Sequence, residues 1–309
     1  QQQLETFMQR YLLPHNAAWH QAVQQGEYPP PFLEDLKTLA HEEGLWNLFL
    51  PGLREGEPRT RLDNLDYAPL AEAMGKLPWA AEVFNCSAPD TGNMELLHRF
   101  ATPAQRTQWL TPLLHGTIRS AFAMSEPDVA SSDPTNLQTT VRREGDALVL
   151  NGRKWFITGV AHPGCKLLIV MARNAAEESG VPDTKHHQHS MVLVPLDTPG
   201  VEIVRNISVV HHHAPEGHGE IVLRRVRVPV DHLLGGWGEG FAMAQARLGP
   251  GRVHHCMRAI GQCELALQLA AERTLERQMF GRYESEFSNV QDWLAESRIE
   301  INQARLLVL

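Results

Sequence analysis

The sequence lacks the features that mark membrane-spanning and secreted proteins. Its 309 residues contain no run of about eighteen apolar residues, so no transmembrane helix is predicted. The first residues, QQQLETFMQR, do not place a basic segment before an apolar one, so no secretory signal is predicted either. We therefore expect a protein of the cytoplasm or of an organelle matrix.

Cysteine and net positive charge are also scarce. The four cysteines, at positions 86, 165, 256 and 263, include no CxxC pair, which favours buried reduced thiols over disulfides or a zinc site. A net charge of −8 without a basic patch argues against a nucleic-acid-binding protein. The acidic balance still permits an anionic ligand, because hydroxyls and single arginines can bind phosphate locally.

Histidine, in contrast, is abundant, with 16 residues. Three adjacent histidines at 211–213, followed by His218, suggest a metal site at first sight. Neighbouring side chains in a strand alternate between faces, so at most two of the three could share a ligand. Surface histidines are the favoured interpretation, and no metal site is predicted. His254 and His255 could line a substrate pocket or pack in the core.

Apolar periodicity predicts helices at both ends of the chain and strands between them. Helical spacing is evident over 32–40 and 67–74, each ending near a glycine. β-Forming segments separated by turn residues occupy 118–124, 146–150, 166–171, 190–195, 201–210 and 219–228. We therefore predict an α+β fold with an N-terminal helical domain (1–117), a central antiparallel β-barrel or sandwich (118–235) and a C-terminal helical bundle (236–309).

The C-terminal region is expected to contain several helices. A helix over 241–248 is predicted to end at the Gly-Pro-Gly of 249–251, and a long one follows over 253–278. In the last helix, apolar and small residues recur in steps of four and three, which indicates one buried stripe, at positions 290, 294, 297, 301, 304 and 308. This helix reaches Leu309 without a cap, so we expect the chain to continue. Residues 175–189 are expected to form a mobile surface insertion.

Most of the functional signal lies in two segments. The first, FAMSEPDVASSD at 122–133, follows a predicted strand that breaks at Pro127, which has no N–H donor. Its hydroxyls, on Ser125, Ser131 and Ser132, suit the binding of a polar ligand edge or of phosphates.

The second segment is NGRKWFITG at 151–159. Its Asn-Gly pair is typical of a hairpin turn. Trp155 and Phe156 then precede the hydroxyl of Thr158. We expect a hairpin that carries a flat aromatic face and a hydrogen-bond donor.

With these segments between two helical regions, the chain resembles the acyl-CoA dehydrogenase family. The motifs that carry the resemblance are AMSEP…SSD, NGxKxxIT, VRVP at 226–229, GEGF at 238–241 and ERxxFG at 276–281. GLWNLFLP, APDTGNME, SEPDVASSD and RLGPGRVHHCMR are most similar to the branch that contains family members 10 and 11. The first loop has one residue more than is usual in the family, so we expect it to bulge.

The resemblance implies an FAD site. The predicted FAD residues of the two segments are Phe122, Met124, Ser125, Ser131, Ser132, Phe156, Ile157 and Thr158. Met124 and Ser125 would meet the pyrimidine edge of the flavin, and Thr158 would donate near its N5 atom. From the pattern alone, Trp155 and Phe156 could instead be core residues.

The resemblance also implies a homodimer or homotetramer. Arg277 and Phe280 would reach the FAD pyrophosphate of a neighbouring subunit, since a guanidinium fork suits a pyrophosphate. A solvated, charged helix end is the alternative interpretation of this segment.

An acyl-CoA substrate is implied as well. Ser132 would touch the acyl-CoA, and the segment near the pantetheine would consist of Gly249, Pro250, Gly251 and Arg252. Gly251 stands where some branches have a catalytic glutamate, and it cannot act as a base. In most of the family the glutamate comes later, so no catalytic base is predicted within residues 1–309, and we expect it beyond Leu309.

The implied reaction is dehydrogenation of an acyl-CoA thioester to a trans-2-enoyl-CoA, with electrons passed to electron-transfer flavoprotein. It requires a carboxylate near the α-carbon and a flavin that accepts hydride. Two alternatives stay open, namely a flavin oxidase of the acyl-CoA oxidase type and a catalytically silent scaffold that binds FAD and acyl-CoA. The resemblance implies fatty acid β-oxidation, in the cytoplasm of a bacterium or the mitochondrial or peroxisomal matrix of a eukaryote.

Overall fold

The computed structural model describes residues 1–53, 57, 62–175 and 184–309. The region before the sheet is helical. Its helices are α1 (Gln2–Phe7), α2 (Asn16–Gln24), α3 (Phe32–Glu42), α4 (Asn64–Gly75), α5 (Ala80–Val83), α6 (Asp90–Phe100), α7 (Pro103–Gln105) and α8 (Thr111–Leu114). A π-helical turn and a 3₁₀ turn join α1 to α2, and a second π-helical turn joins α7 to α8.

The middle of the chain forms one sheet. Its strands are β1 (Arg119–Ala123), β2 (Thr140–Glu144), β3 (Ala147–Thr158), β4 (Cys165–Asn174), β5 (His189–Pro195), β6 (Val201–Asn206), β7 (His218–Pro229) and β8 (Leu233–Leu234). The strand order is β6-β7-β3-β2-β4-β5-β8, with β1 beside β4. The predicted α+β class, with helices on both sides of a central β-region, is confirmed. Within the described residues β6 and β8 do not pair, so no closed barrel forms, and both β1 and β2 run parallel to β4.

The central strand β4 is buried on both faces. Leu167 and Ile169 belong to a core shared with the helices, whereas Leu168 and Val170 belong to a second core on the opposite face. Successive side chains of a strand point to opposite faces, which explains the uninterrupted apolar run at 167–172. The N-terminal helices therefore pack on one face of the sheet.

The predicted hairpin turn at Asn151 and Gly152 is wrong. Both residues lie inside β3, where Asn151 pairs with β2 and Gly152 pairs with β7. A Cβ atom on Gly152 would lie 2.3 Å from Oγ1 of Thr139, so glycine is required by a close backbone approach. Pairing on both edges outweighs the local turn preference, and the chain reverses instead at Gly145, where φ is +65°.

After the sheet, one long helix replaces the two that were predicted. This helix, α9 (Gly240–Glu276), continues through Pro250. A proline usually interrupts a helix because it lacks an N–H donor. Here α9 packs closely along α4, since a Cβ atom on Gly261 would lie 1.8 Å from the carbonyl oxygen of Glu72. Tertiary packing thus outweighs the local breaker.

A short hairpin, β9 (Gln278–Met279) with β10 (Arg282–Tyr283), precedes α10 (Ser288–Val308). α10 packs on α9, with Ile301 buried. Of the predicted stripe, positions 290, 294, 297 and 308 are half-buried and Ala304 is exposed. Trp293 and Leu307 lie on the exposed side of this helix.

Several expectations concern single residue types. Cys86 and Cys165 are buried free thiols, whereas Cys256 and Cys263 are free but exposed on α9. Among the described helices, none has the length and apolarity to cross a bilayer. The described residues include no group of histidine, cysteine, aspartate and glutamate arranged to hold a metal ion. Of the predicted surface insertion, residues 176–183 lie outside the described ranges.

Candidate functional site

A buried ion pair fixes the loop that follows β1. Oε1 of Glu126 lies 2.8 Å from Nζ of Lys154 on β3, and both side chains are buried. The Lys154 ammonium also donates to the carbonyls of Met124, at 2.8 Å, and Met171, at 2.7 Å. Its three N–H donors are therefore all satisfied, as a buried ammonium requires.

The pair is ionised at neutral pH. Burial lowers the pKa of Lys154 to about 8, although the Glu126 carboxylate opposes this shift. Burial would raise the pKa of Glu126, but Lys154 and hydrogen bonds from Gln138 and Thr139 hold it below its ordinary value. The backbone N–H groups of Gln138 and Thr139 donate to the carboxylate at 2.7 and 2.9 Å, so Glu126 joins both ends of the loop.

The two predicted segments are in direct contact. The Trp155 N–H donates to the carbonyl of Ser125 at 3.0 Å. The hydroxyl of Ser131 accepts the Glu126 N–H at 2.8 Å and donates to a loop carbonyl, so Ser131 holds the turn itself. Ser125 is half-buried and Ser132 is exposed, and in the described part of the chain their hydroxyls make no hydrogen bond. These two hydroxyls are available to a ligand.

β3 departs from regular pairing at Phe156. The register shifts between Lys154 and Ile157, and Phe156 has a left-handed φ of +52°, which is costly for a bulky residue. Its ring is 41% exposed, whereas Ile157 is buried in the core. Oγ1 of Thr158 lies 2.9 Å from Nδ1 of His218 on β7. The irregularity therefore leaves an accessible aromatic ring two residues before a hydroxyl-bearing side chain.

Arg247 of α9 contacts the end of β1, just before this loop, from the helical side. Its guanidinium carbon lies 4.0 Å from the centroid of the Phe122 ring, within cation–π distance. Its Nε donates to Oδ1 of Asn93 on α6 at 2.9 Å. Burial lowers the pKa of Arg247 to about 10, and Glu95 opposes this shift, so the side chain is a cation at neutral pH.

Glu95 of α6 is a buried carboxylate in the field of this cation. It is 5% exposed, and its Oε2 atom has no hydrogen-bond partner in the described part of the protein. Burial raises the pKa of Glu95 to about 7, although Arg99 and Arg247 lower it. The carboxyl therefore gains or loses a proton near neutral pH, which is common in functional sites.

A buried polar network connects Arg247 to the sheet. Asp90 accepts hydrogen bonds from the Arg119 guanidinium and, at 2.7 Å, from the Ser120 N–H. Nδ2 of Asn93 donates to Oγ of Ser120 at 2.8 Å, and Asn93 in turn accepts from Arg247. The position of Arg247 is thus set by β1 as well as by α6.

The predicted substrate segment lies on two faces of α9. Gly249 and Arg252 are exposed, and Pro250 and Gly251 are half-buried. His254, two turns after Arg247 on the buried face, packs against Tyr67 with ring centroids 5.0 Å apart. Core packing is therefore the structural role of His254, whereas His255 is exposed.

Arg277 and Phe280 lie far from this site within the chain. Arg277 follows Arg252 by about 25 helical residues, or about 38 Å at about 1.5 Å per residue. Nε of Arg277 lies 3.2 Å from Oε1 of Glu284. Phe280 occupies the turn of the β9–β10 hairpin with a left-handed φ of +53° and is 91% exposed. The structure therefore does not bring these two residues to the other predicted cofactor residues.

Sequence reasoning missed Glu126, Lys154, Arg247 and Glu95 as parts of this site. A signal for the first two was present, because the segment at 122–133 contains the acidic Glu126 and the segment at 151–159 contains the basic Lys154, each next to apolar residues. Arg247 lies seven residues before His254, which is two helical turns, so both share one face of α9. For Glu95 no sequence signal distinguished it from a surface carboxylate.

Comparison with known proteins supports one family throughout the chain. The acyl-CoA dehydrogenase N-terminal, middle and C-terminal domain models match residues 1–117, 121–226 and 238–309. A solved structure from Mycobacterium abscessus, assigned to the acyl-CoA dehydrogenases, is similar with a TM-score of 0.90 and 45% identity, covering 99% of this chain and 76% of that one.

Two curated relatives agree. The chain is 55% identical to FadE2 of Mycobacterium tuberculosis, assigned as an acyl-CoA dehydrogenase, over 90% of this chain and 66% of that protein. It is 46% identical to acyl-CoA dehydrogenase family member 11 of Gallus gallus, over 99% of this chain and 39% of that protein. The chain thus spans only part of the length of these relatives, and the predicted resemblance is confirmed. With three domain models matched in order, the chain belongs to the acyl-CoA dehydrogenase family.

Proposed function

We propose that this chain forms the FAD- and acyl-CoA-binding part of an enzyme that oxidises an acyl-CoA thioester to a trans-2-enoyl-CoA. The family is one of FAD enzymes. The observation that carries the proposal is the contact between the loop after β1 and β3. There the Glu126–Lys154 pair and the Trp155–Ser125 hydrogen bond support the strand that carries the accessible ring of Phe156 and, two residues later, the hydroxyl of Thr158.

The residues in this region fit a flavin. An isoalloxazine has flat faces and hydrogen-bonding edges, which match an accessible aromatic ring and uncommitted hydroxyls. The proposed FAD residues are Phe122, Met124, Ser125, Ser131, Ser132, Phe156, Ile157 and Thr158. Among them Ser131 acts through the turn that it holds, and Ile157 through the core that anchors the strand. When bound, FAD would supply the acceptor for the hydride.

For the substrate, the proposed contacts are Ser132, Gly249, Pro250, Gly251 and Arg252. Arg252 is an exposed cation on α9, which suits the charged part of CoA. Gly251 offers no side chain that could remove the α-proton. We therefore assign the catalytic base to a carboxylate outside residues 1–309.

The neighbouring subunit enters through Arg277 and Phe280. Phe280 combines a strained backbone with a ring that is 91% exposed, and Arg277, three residues earlier, lies about 38 Å from Arg252 when measured along α9. Backbone strain of this kind is often retained at functional sites. Here we assign Phe280 to the site that binds the FAD pyrophosphate of another copy. We propose a homodimer or homotetramer, with electron-transfer flavoprotein as the electron acceptor.

The experiment uses the purified full-length protein. We expect flavin absorbance at about 450 nm and its loss when an acyl-CoA is added without oxygen. A series of acyl-CoA chain lengths then identifies the substrate. Phe156→Ala should lose flavin, whereas Leu13→Ala, which changes another exposed apolar residue, should retain it.

The same preparation separates the alternatives. If electron-transfer flavoprotein reoxidises the reduced flavin, and air reoxidises it only slowly, the dehydrogenase is supported. Rapid reoxidation in air with one peroxide per flavin would support an oxidase instead. Bound flavin that no acyl-CoA reduces would support a silent scaffold, and absence of flavin would refute the proposal.

A further inference from the structure

His218 and Thr158 form a directly opposed pair at the ends of β7 and β3. Nδ1 of His218 lies 2.9 Å from Oγ1 of Thr158, and both side chains are half-buried. The backbone holds this arrangement, because the Ile207 N–H donates to the carbonyl of His218 at 2.8 Å and the Gly159 N–H donates to that of Gly217 at 3.1 Å.

The backbone on either side of His218 is tightly packed. A Cβ atom on Gly217 would lie 2.7 Å from Oδ1 of Asn206, and one on Gly219 would lie 2.1 Å from Cγ1 of Val160. The imidazole is therefore held over Thr158 by a backbone with little room to move. Among the described residues, His218 belongs to no group of side chains that could hold a metal ion. We therefore looked for its role in the contact with Thr158.

Hydrogen-bond donors are limited at this pair. A threonine hydroxyl has one proton, and Nδ1 of a histidine either accepts a hydrogen bond or donates one. If Nδ1 accepts the hydrogen bond, the Thr158 hydroxyl donates its only proton to His218 and has none left for a ligand. If Nδ1 carries a proton, Thr158 accepts that bond and its own proton is free for a ligand.

We propose that His218 is a positioning residue whose protonated Nδ1 directs the hydroxyl proton of Thr158 toward N5 of oxidised FAD. The inference rests on the proposed function, in which Thr158 lies beside N5. Oxidised flavin presents a lone pair at N5, so a donor is required there. His218 supplies that donor indirectly, because its own N–H occupies the acceptor site of Thr158.

Nitrogen NMR of full-length protein loaded with FAD labelled at N5 tests this role. A donor at N5 shifts its nitrogen resonance upfield, so loss of the donor shifts it downfield. His218→Asn retains an N–H group and His218→Asp, of the same size, offers only acceptors when ionised. We expect a wild-type N5 resonance in the Asn variant and a downfield shift in the Asp variant.

Thr158→Val defines the full shift. The His218→Asp/Thr158→Val double variant should shift no further, because both changes remove the same hydrogen bond. A wild-type N5 resonance in His218→Asp, or equal shifts in the Asn and Asp variants, would overturn the inference while FAD binding stands. A full-length protein that binds no FAD would overturn the proposed function and this inference together.

Discussion

Two of the segments proposed to bind FAD are built in opposite ways, namely the inner segment, which is the loop at 122–133, and the outer segment, which is the β9–β10 hairpin with Phe280. The loop at 122–133 lies against β3, where Glu126 and Lys154 are buried and every N–H of the ammonium has an acceptor within the chain. The hairpin that carries Phe280 consists of two strands of two residues each, and the ring of Phe280 is exposed at its turn. The inner segment is supported from within the subunit, and the outer segment presents its residues outward.

In the proposed oligomer, this difference separates residues that hold the flavin within one subunit from residues that reach another copy. A segment that must hold a flavin edge at fixed geometry needs buried support, because polar groups in the interior are stable only when paired. A segment that completes a site in another subunit must stay accessible. α10 resembles the outer segment in this respect, because Trp293 and Leu307 are largely exposed.

The largest effect is expected from Lys154→Met. The change leaves the Glu126 carboxylate buried without its counter-charge, so the free energy of unfolding should fall by about 3–5 kcal/mol. FAD affinity should fall with it, because the loop loses its support. Urea denaturation and flavin fluorescence of the full-length protein measure the two effects.

A matched control is Arg224→Met, which breaks the exposed Arg224–Glu202 pair in the same sheet. It should change stability by less than about 1 kcal/mol. If Lys154→Met costs no more than this control, buried support does not distinguish the inner segment.

Next in size is a pH effect at Glu95. Its pKa is about 7 in the folded protein against an ordinary value of 4.5, so the folded state binds more protons between these values. The free energy of unfolding contributed by Glu95 is therefore present below pH 4.5 and is lost as pH rises through 7. Relative to Glu95→Gln, the wild type should lose about 3 kcal/mol across this window.

Thermal unfolding at several pH values checks this prediction, with Glu296→Gln, an exposed change on α10, as the control. Equal pH dependence in wild type and Glu95→Gln would contradict it. The same variant tests the assignment of the base. Reduction of FAD by substrate should slow by less than about tenfold, whereas a loss beyond about a thousandfold would make Glu95 the base.

The fold was predictable where apolar periodicity records burial. The continuous run in β4 reflects two covered faces, and the spacing in α10 reflects contact with α9. Local signals failed at Gly152 and Pro250, where pairing of β3 on both edges and packing of α9 outweigh the preference for a turn or a helix end.

For the site, the sequence indicated which segments take part, but not which side chains of those segments pair with each other. The motifs located Ser125, Phe156 and Thr158, but the domain limits and these assignments stay predictions. Glu126 and Lys154 are 28 residues apart, and their pairing depends on which charges the fold buries. A sequence pattern of period two or 3.6 carries no such information.

A smaller effect, on FAD affinity, is expected from Phe280→Gly. Glycine adopts the left-handed φ without strain, so the fold of the subunit should be unchanged or slightly more stable. FAD affinity should nevertheless fall by about 30-fold, corresponding to about 2 kcal/mol for an interface anchor. Fluorescence titration measures the FAD affinity, and light scattering measures the oligomeric state of the same variant. Unchanged FAD affinity would show that the hairpin does not complete a neighbouring site.

The smallest effect is expected at Val210, which calibrates the strain at Phe280. Val210 is equally exposed, at 91%, and has a φ of +50° in a turn closed by the bridge between Val209 and His212. Turns of this backbone shape favour asparagine over a β-branched residue. Val210→Asn should therefore raise the free energy of unfolding by about 1 kcal/mol and leave FAD affinity unchanged. If this variant weakens FAD binding as much as Phe280→Gly does, the loss reflects any relaxed surface turn, and the contrast between the inner and outer segments fails.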